Sequence, residues 1–239
     1  MTVLHLADEG EAADLAAFLS RLLHYDRSAA VRLQAAGTAL AVFGRPPSFE
    51  VLAVRTVRLA KPYENGLDVT LDVTVSAGEL LESVDERAAT ARVPGAVTGP
   101  PWAGVLPPRG GWRAEPGLPA PDALRALVAA AVAEFRARTE ELAAEDRTRA
   151  ALDGIGRDIW SRTVGDTGLP VRAVHAAQSL GFLRPRGASG PGTGIGSSSG
   201  SGEDAPRLFS SGAWLRLRTP FGSVALRRAG TGALGISVR

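Results

Sequence analysis

The segment from residue 98 to residue 121 limits the possible folds of this chain more than any other feature. It contains seven prolines and five glycines in 24 residues. Proline lacks the backbone N–H that a helix interior or a central strand needs. We therefore predict an extended segment at residues 98–120, called the strap below, between an N-terminal domain at 1–97 and a C-terminal section at 121–239.

Residues 1–97 have the pattern of a sheet covered by one long helix. Asp8 and Glu11 match a capping box, and the apolar residues after them recur at helical spacing, namely Leu15, Phe18, Leu19, Leu22 and Leu23. Strand patterns follow at 30–36, 38–43, 49–60 and 67–75, and Ser76 can cap a second, short helix. This order predicts an α+β fold, in which a long helix covers an antiparallel sheet.

The C-terminal section reads as helices followed by a β-hairpin. Apolar stripes indicate a helix after Pro121 and a second helix ending near Trp160, and a third helix begins at Pro170. Residues 187–202 contain seven glycines and five serines in 16 residues, which predicts a flexible loop. The alternating runs 214–219 and 222–228 then predict a hairpin.

Several chemistries have no support in this sequence of 239 residues. There is no cysteine, and the three histidines lie far apart, so thiolate and cysteine–metal sites are excluded. No dinucleotide-binding or P-loop motif is present. The G-x-S-x-G match at 196–200 lacks the strand and helix of a nucleophile elbow. We expect a non-enzymatic protein without a cofactor or metal, and no reaction class can be named.

Two aspartates resemble a catalytic pair of carboxylates, but their spacing does not support that interpretation. Asp68 and Asp72 share one face of a predicted strand, about 13 Å apart. This separation is too large for the paired carboxylates of a glycosidase. We predict that both face solvent.

The sequence also gives expectations about the compartment and the source. No apolar run approaches the roughly 20 residues of a membrane span, and no charged-then-apolar leader opens the chain. With the absence of cysteine, this predicts a cytoplasmic protein with no membrane partner. Only Lys61 is lysine among 27 basic residues, a bias typical of a GC-rich bacterial genome.

Positive charge is concentrated in the second half of the chain. Residues 1–120 carry 11 basic and 14 acidic residues, whereas residues 121–239 carry 16 and 11. On the hairpin, Arg216 and Arg218 share one face, and Arg227 and Arg228 end the partner strand. We predict that these four, together with Arg172 of the third helix, contact DNA phosphates. The alternative is that the hairpin completes the main sheet and the arginines form a solvated surface.

The tryptophans of the strap support a different class of function. Trp102 and Trp112 follow proline pairs in an extended segment, so they could be presented to a protein partner. Alternatively, the same two side chains pack against the core of this protein and hold the strap in place.

Two resemblances of layout point towards DNA. The order of elements in residues 1–85, with stretches at Val3–Ala7, Asp14–His24, Ala30–Ala36, Thr38–Phe43 and Phe49–Leu59, resembles one unit of a DNA sliding clamp. Residues 121–230, with three helices and a hairpin, resemble a winged helix, which implies a helix in the major groove and a hairpin on phosphate. The alternative is an unrelated α+β sheet. The sequence thus favours a DNA-associated or regulatory protein, with a protein-interaction or assembly module as the second reading.

Overall fold

The computed structural model describes residues 2–60, 71–184 and 205–228. Its helices are α1 (Glu9–Tyr25), α2 (Ala77–Glu82), α3 (Pro121–Glu140), α4 (Arg149–Ser161) and α5 (Val171–Ser179). Its strands are β1 (Val3–His5), β2 (Ala30–Ala36), β3 (Ala39–Gly44), β4 (Leu52–Arg58), β5 (Asp72–Ser76), β6 (Val84–Asp85), β7 (Thr90–Arg92), β8 (Arg113–Glu115), β9 (Arg207–Ser211), β10 (Trp214–Thr219) and β11 (Gly222–Arg227). The predicted α+β class is confirmed. The glycine–serine loop, its G-x-S-x-G match and Asp68 lie outside the described residues.

One antiparallel sheet of eight strands unites both halves of the chain. Its order is β5-β2-β3-β4-β11-β10-β9-β8. The two halves meet where β4 pairs with β11, with Val54 opposite Ser223 and Leu52 opposite Ala225. The hairpin β10–β11 is therefore an interior part of the main sheet, which is the alternative that the sequence left open. The short strands β8 and β9 were not anticipated.

All five helices contribute to one apolar core. The alternating residues of β2 and β3, among them Leu33 and Leu40, are fully buried, as are Leu15 and Leu19 of α1. Leu215 and Leu217 of β10 belong to the same core cluster. The predicted apolar face of α1 is confirmed by the burial of Leu15, Phe18, Leu19 and Leu22, with Leu23 partly buried beside them.

Two helices, α1 and α2, begin where the sequence places their caps. The Asp8 carboxylate accepts a 2.8 Å hydrogen bond from the backbone N–H of Glu11, and Ser76 accepts one from the N–H of Glu79. Each cap satisfies a donor that the first turn of a helix leaves free. In the part of the chain that the structure describes, no helix is long and apolar enough to cross a membrane.

An ion network around the buried side chain of Arg55 links the two halves of the chain. Arg55 of β4 lies between Glu11 at 3.2 Å and Asp14 at 3.0 Å, both on α1. It also donates to the carbonyl oxygen of Phe221 at the tip of the hairpin, at 2.7 Å. Arg184, which follows α5, binds the second oxygen of Asp14 at 2.6 Å. Ion pairs and hydrogen bonds thus connect residues from both halves of the chain where β4 meets β11.

Candidate nucleic-acid interface and strap cavity

The face of the sheet that lies away from the helices carries an unusual set of side chains on β9, β10 and β11. Because side chains alternate along a strand, the residues between the buried leucines of β10 point to this open face. The pairing register places their neighbours on β9 and β11 on the same side. The resulting set is Arg207, Phe209, Trp214, Arg216, Arg218 and Arg227.

Two of these arginines face each other directly. Arg207 of β9 and Arg218 of β10 are register partners, and both are exposed. Within the described ranges, no carboxylate forms an ion pair with either side chain. Like charges in this position destabilise a sheet. The pair therefore concentrates positive charge that the described part of the protein does not neutralise.

Aromatic rings lie beside the other two arginines. The guanidinium of Arg227 lies 5.9 Å from the ring centre of Trp214, and that of Arg216 lies 5.7 Å from the ring of Trp112. Arg216 is half-buried, and its Nε donates to the hydroxyl of Ser223 at 3.0 Å. Burial, followed by the charge of Arg218, lowers the pKa of Arg216, because a low-dielectric site disfavours the cation.

The strap crosses the whole open face from one edge of the sheet to the other. Just before the strap, Ala96 forms a bridge with Val75 of the edge strand β5, and within the strap Arg113–Glu115 form the opposite edge strand, β8. Seven interstrand spacings of about 4.8 Å span about 34 Å, whereas 16 extended residues reach about 53 Å. The segment is therefore long enough to cross the sheet, although it is not extended throughout as its proline content predicted, because Pro101–Gly104 forms a short 3-10 helix.

An ion pair on β2 and β5 holds the first part of the strap. Arg32 binds Asp72 through two nitrogens, at 2.7 and 2.9 Å, and donates to the carbonyl oxygen of Ala103. Gln34 also donates to Asp72, at 3.1 Å. Asp72 is exposed, as the sequence predicted, but it is also held by these two side chains, and the hydrogen bond from Arg32 lowers its pKa.

A cavity of about 300 Å³ lies between the strap and the sheet. Its floor is formed by Ala36, Ala39 and Ala41, and strap residues 106–108 lie over it. The space is present because the side chains beneath Pro107 and Pro108 are alanines, which are too small to fill it. The cavity is also lined by four polar side chains, Gln34, Thr56, Arg109 and Arg216.

The two tryptophans of the strap occupy different environments. Trp112 is half-buried, and its ring N–H donates to the carbonyl oxygen of Pro108 at 3.0 Å, a bond within the strap, while its ring lies beside Arg216. Trp102 lines a separate groove of about 730 Å³. Val97 and Val105, on either side of it in sequence, are exposed.

Three of the five predicted phosphate-binding arginines share the open face, and two do not. Arg172 lies on α5, on the helical side of the sheet, with its Nε 3.6 Å from Glu50. Arg228 follows β11 and binds Glu115 at 3.3 Å. Arg216 and Arg218 share this face as the alternation predicted, and the pairing of β10 with β11 places Arg227 there as well.

The histidines do not form a catalytic or metal-binding cluster. His175 of α5 is half-buried, with its ring 4.6 Å from that of Trp160 and 5.1 Å from that of Phe49. Desolvation lowers the pKa of His175. Across the described ranges, no group of three or more histidine, aspartate or glutamate side chains could hold a metal ion.

Sequence reasoning missed two basic residues near this face, Arg207 and Arg109. Arg207 begins a strand of only five residues, in which the adjacent apolar residues Leu208 and Phe209 interrupt the alternation of a strand. Because β9 is short and follows the glycine–serine tract, the sequence analysis did not identify Arg207. No local pattern identifies Arg109, because only the path of the strap brings it to the cavity.

Two family models match the sequence. A domain of unknown function, DUF8010, matches residues 1–104, and another, DUF8185, matches residues 107–231. No curated protein matches. The boundary between the two models falls within the strap, although the strands of both regions form one sheet. The clamp-like and winged-helix resemblances are not addressed by these matches and stay predictions.

Proposed function

Since the chain belongs to DUF8185, a family of domains of unknown function, we propose a function from its geometry: the protein binds single-stranded nucleic acid through Arg207, Arg218 and Arg227. The observation that carries this proposal is the direct pairing of Arg207 with Arg218. Both are exposed, and neither has a carboxylate partner in the described part of the chain. A polyanion laid across β9 and β10 neutralises this repulsion.

The shape of the surface favours a single strand over a duplex. Major-groove recognition of a duplex usually inserts a helix or a two-stranded ribbon, whereas here the hairpin is flanked by β4 and β9 within the sheet. A sheet face with arginines and aromatic rings suits extended strands, whose bases stack on the rings. Trp214 and Phe209 are the half-buried rings on this face.

The experiment is a titration of labelled single-stranded and duplex DNA with the purified protein at several salt concentrations. We expect tighter binding of the single strand and an affinity that falls steeply with salt. Each phosphate contact on a single strand contributes about 0.7 to the slope of log affinity against log salt. The double variant Arg207→Gln/Arg218→Gln should therefore lower the slope by about 1.4.

A matched variant controls for the loss of net charge. Arg87 and Arg136 are exposed and lie in the turn between β6 and β7 and on α3, respectively, away from the open face. The double variant Arg87→Gln/Arg136→Gln removes the same charge and should leave the slope unchanged. Equal losses in both double variants, or no binding by the wild-type protein at low salt, contradict the proposal.

A second candidate function is protein interaction through Trp102. The specific observation is that two of the three large hydrophobic residues exposed in the described regions, Val97 and Val105, lie near it in sequence. A partner that covers Trp102 would bury all three. Under this alternative, Trp102→Ala abolishes complex formation in a pull-down, while nucleic-acid binding is unchanged.

A further inference from the structure

We infer that the cavity beneath the strap is a binding site for a small organic carboxylate with a flat apolar body. The cavity is distinct from the exposed arginine pair, since its charged groups are Arg216 and Arg109 rather than Arg207 and Arg218. Its volume of about 300 Å³ is at the lower end of the range for ligand pockets.

The first argument is the state of Arg216. Its Nε is occupied by the Ser223 hydroxyl, but no described residue accepts a hydrogen bond from either of its Nη nitrogens. A half-buried cation without an anionic partner is unfavourable. The two Nη groups are free to bind both oxygens of a carboxylate, the geometry in which guanidinium binds best.

The second argument is the chemistry of the remaining walls. Ala36, Ala39 and Ala41 form a flat floor, and Phe43 and Val54 add apolar surface. A planar apolar ligand body fits between this floor and the strap, and its burial contributes favourable free energy. Polar groups at one end and apolar groups elsewhere are the usual composition of a ligand site.

The third argument concerns competing charges. Asp72 is the register partner of Gln34, which lines the cavity, and its oxygens are engaged by Arg32 and Gln34. It is therefore not available to neutralise Arg216. Arg109, at the rim of the cavity, adds a second positive charge and lowers the pKa of Asp72 further. The electrostatic preference of the cavity is for an anion.

The test uses 2-naphthoate as the probe, because it joins a carboxylate to a flat bicyclic body. Titration calorimetry with the wild-type protein should give one saturable site. The neutral analogue 2-naphthamide should bind about 10- to 100-fold more weakly, the range for losing hydrogen bonds to a charged group. Arg216→Met should cause a similar loss for 2-naphthoate.

Two further variants locate the site and separate it from the nucleic-acid surface. Ala41→Leu fills the floor and should abolish 2-naphthoate binding while the arginines remain. Arg218→Met, two residues along β10, should leave 2-naphthoate binding intact but weaken nucleic-acid binding. Circular dichroism checks that each variant is folded.

The inference is overturned by any of three results. The first is the absence of saturable heat with the wild-type protein. The second is equal affinity for 2-naphthoate and 2-naphthamide, and the third is undiminished binding by folded Ala41→Leu. None of these results changes the expectation for single-stranded DNA, so failure of the two proposals can be distinguished.

Discussion

Arg55 and Phe221 are 166 positions apart in sequence, yet the guanidinium of the first donates a 2.7 Å hydrogen bond to the carbonyl oxygen of the second. This bond joins the central strand β4 to the tip of the hairpin β10–β11. It lies beside the pairing of β4 with β11, where the two halves of the sheet meet.

Replacement of Arg55 with methionine should destabilise the whole protein. Its side chain is 8% exposed, and its loss removes a cation that Glu11 and Asp14 share. The expected reduction in the free energy of unfolding is about 3 kcal/mol. Arg58→Met removes a side chain that is 68% exposed and should cost less than about 1 kcal/mol. Urea denaturation measures both free energies of unfolding. Equal reductions in the two variants contradict the stabilising role given to Arg55.

Gly222→Ala should disturb the contact between the hairpin and the segment after α5. A Cβ atom at this position would lie 2.5 Å from the Phe182 ring, and Phe182 is itself buried. Overpacking of this kind costs about 1–3 kcal/mol. Gly110→Ala is the control, because no atom lies within 4 Å of a Cβ there. A thermal melt in which both variants match the wild type contradicts this prediction.

His175 should make stability depend on pH below neutrality. Burial lowers its pKa in the folded state, so below about pH 6.5 the unfolded chain takes up a proton that the folded protein does not. The free energy of unfolding should therefore fall as the pH is lowered from about 7 towards 5. In His175→Phe this decline should be smaller, whereas His24→Gln should retain it. Urea titrations at each pH provide the measurement, and identical profiles for His175→Phe and wild type rule out the assignment.

Arg32→Met should release the first part of the strap without unfolding the sheet. Arg32 links Asp72 to the carbonyl oxygen of Ala103, and its removal leaves the strap without this anchor. We expect faster tryptic cleavage after Arg109 and faster hydrogen exchange of the Val105 amide, while β2 stays protected. Arg45→Met, an exposed neighbour of the Trp102 groove, should change neither rate. Unaltered cleavage in Arg32→Met shows that other contacts hold the strap.

Arg218→Gln should stabilise the isolated protein slightly while weakening nucleic-acid binding. It removes the repulsion between register partners Arg207 and Arg218, a gain of about 0.5 kcal/mol at low salt. At 1 M salt the Debye length is about 3 Å, so the repulsion between the two arginines is screened and the gain in stability should disappear. Thermal melts at two salt concentrations provide the measurement. A gain that persists at high salt points to a cause other than charge.

Local patterns in the sequence predicted most of the elements correctly. The Asp8 cap and the leucine spacing predicted α1, and the alternation of Leu215 with Arg216 predicted both the strand and the face of its arginines. These predictions succeeded because capping and side-chain periodicity depend on neighbours within a few residues. The short strand β9 was missed because five residues carry too little periodic signal.

The amino-acid sequence by itself determined the helices, the alternating strands, the extended strap and the grouping of arginines on one side of the hairpin. Only the tertiary structure decided that β4 pairs with β11, that the strap crosses the open face, and that Arg216 is half-buried while Arg218 is exposed. Alternation defines which side of a strand is apolar, but it does not identify the neighbouring strand or what covers the other side. Those choices depend on contacts between residues far apart in the chain, such as Leu52 with Ala225 and Trp112 with Arg216.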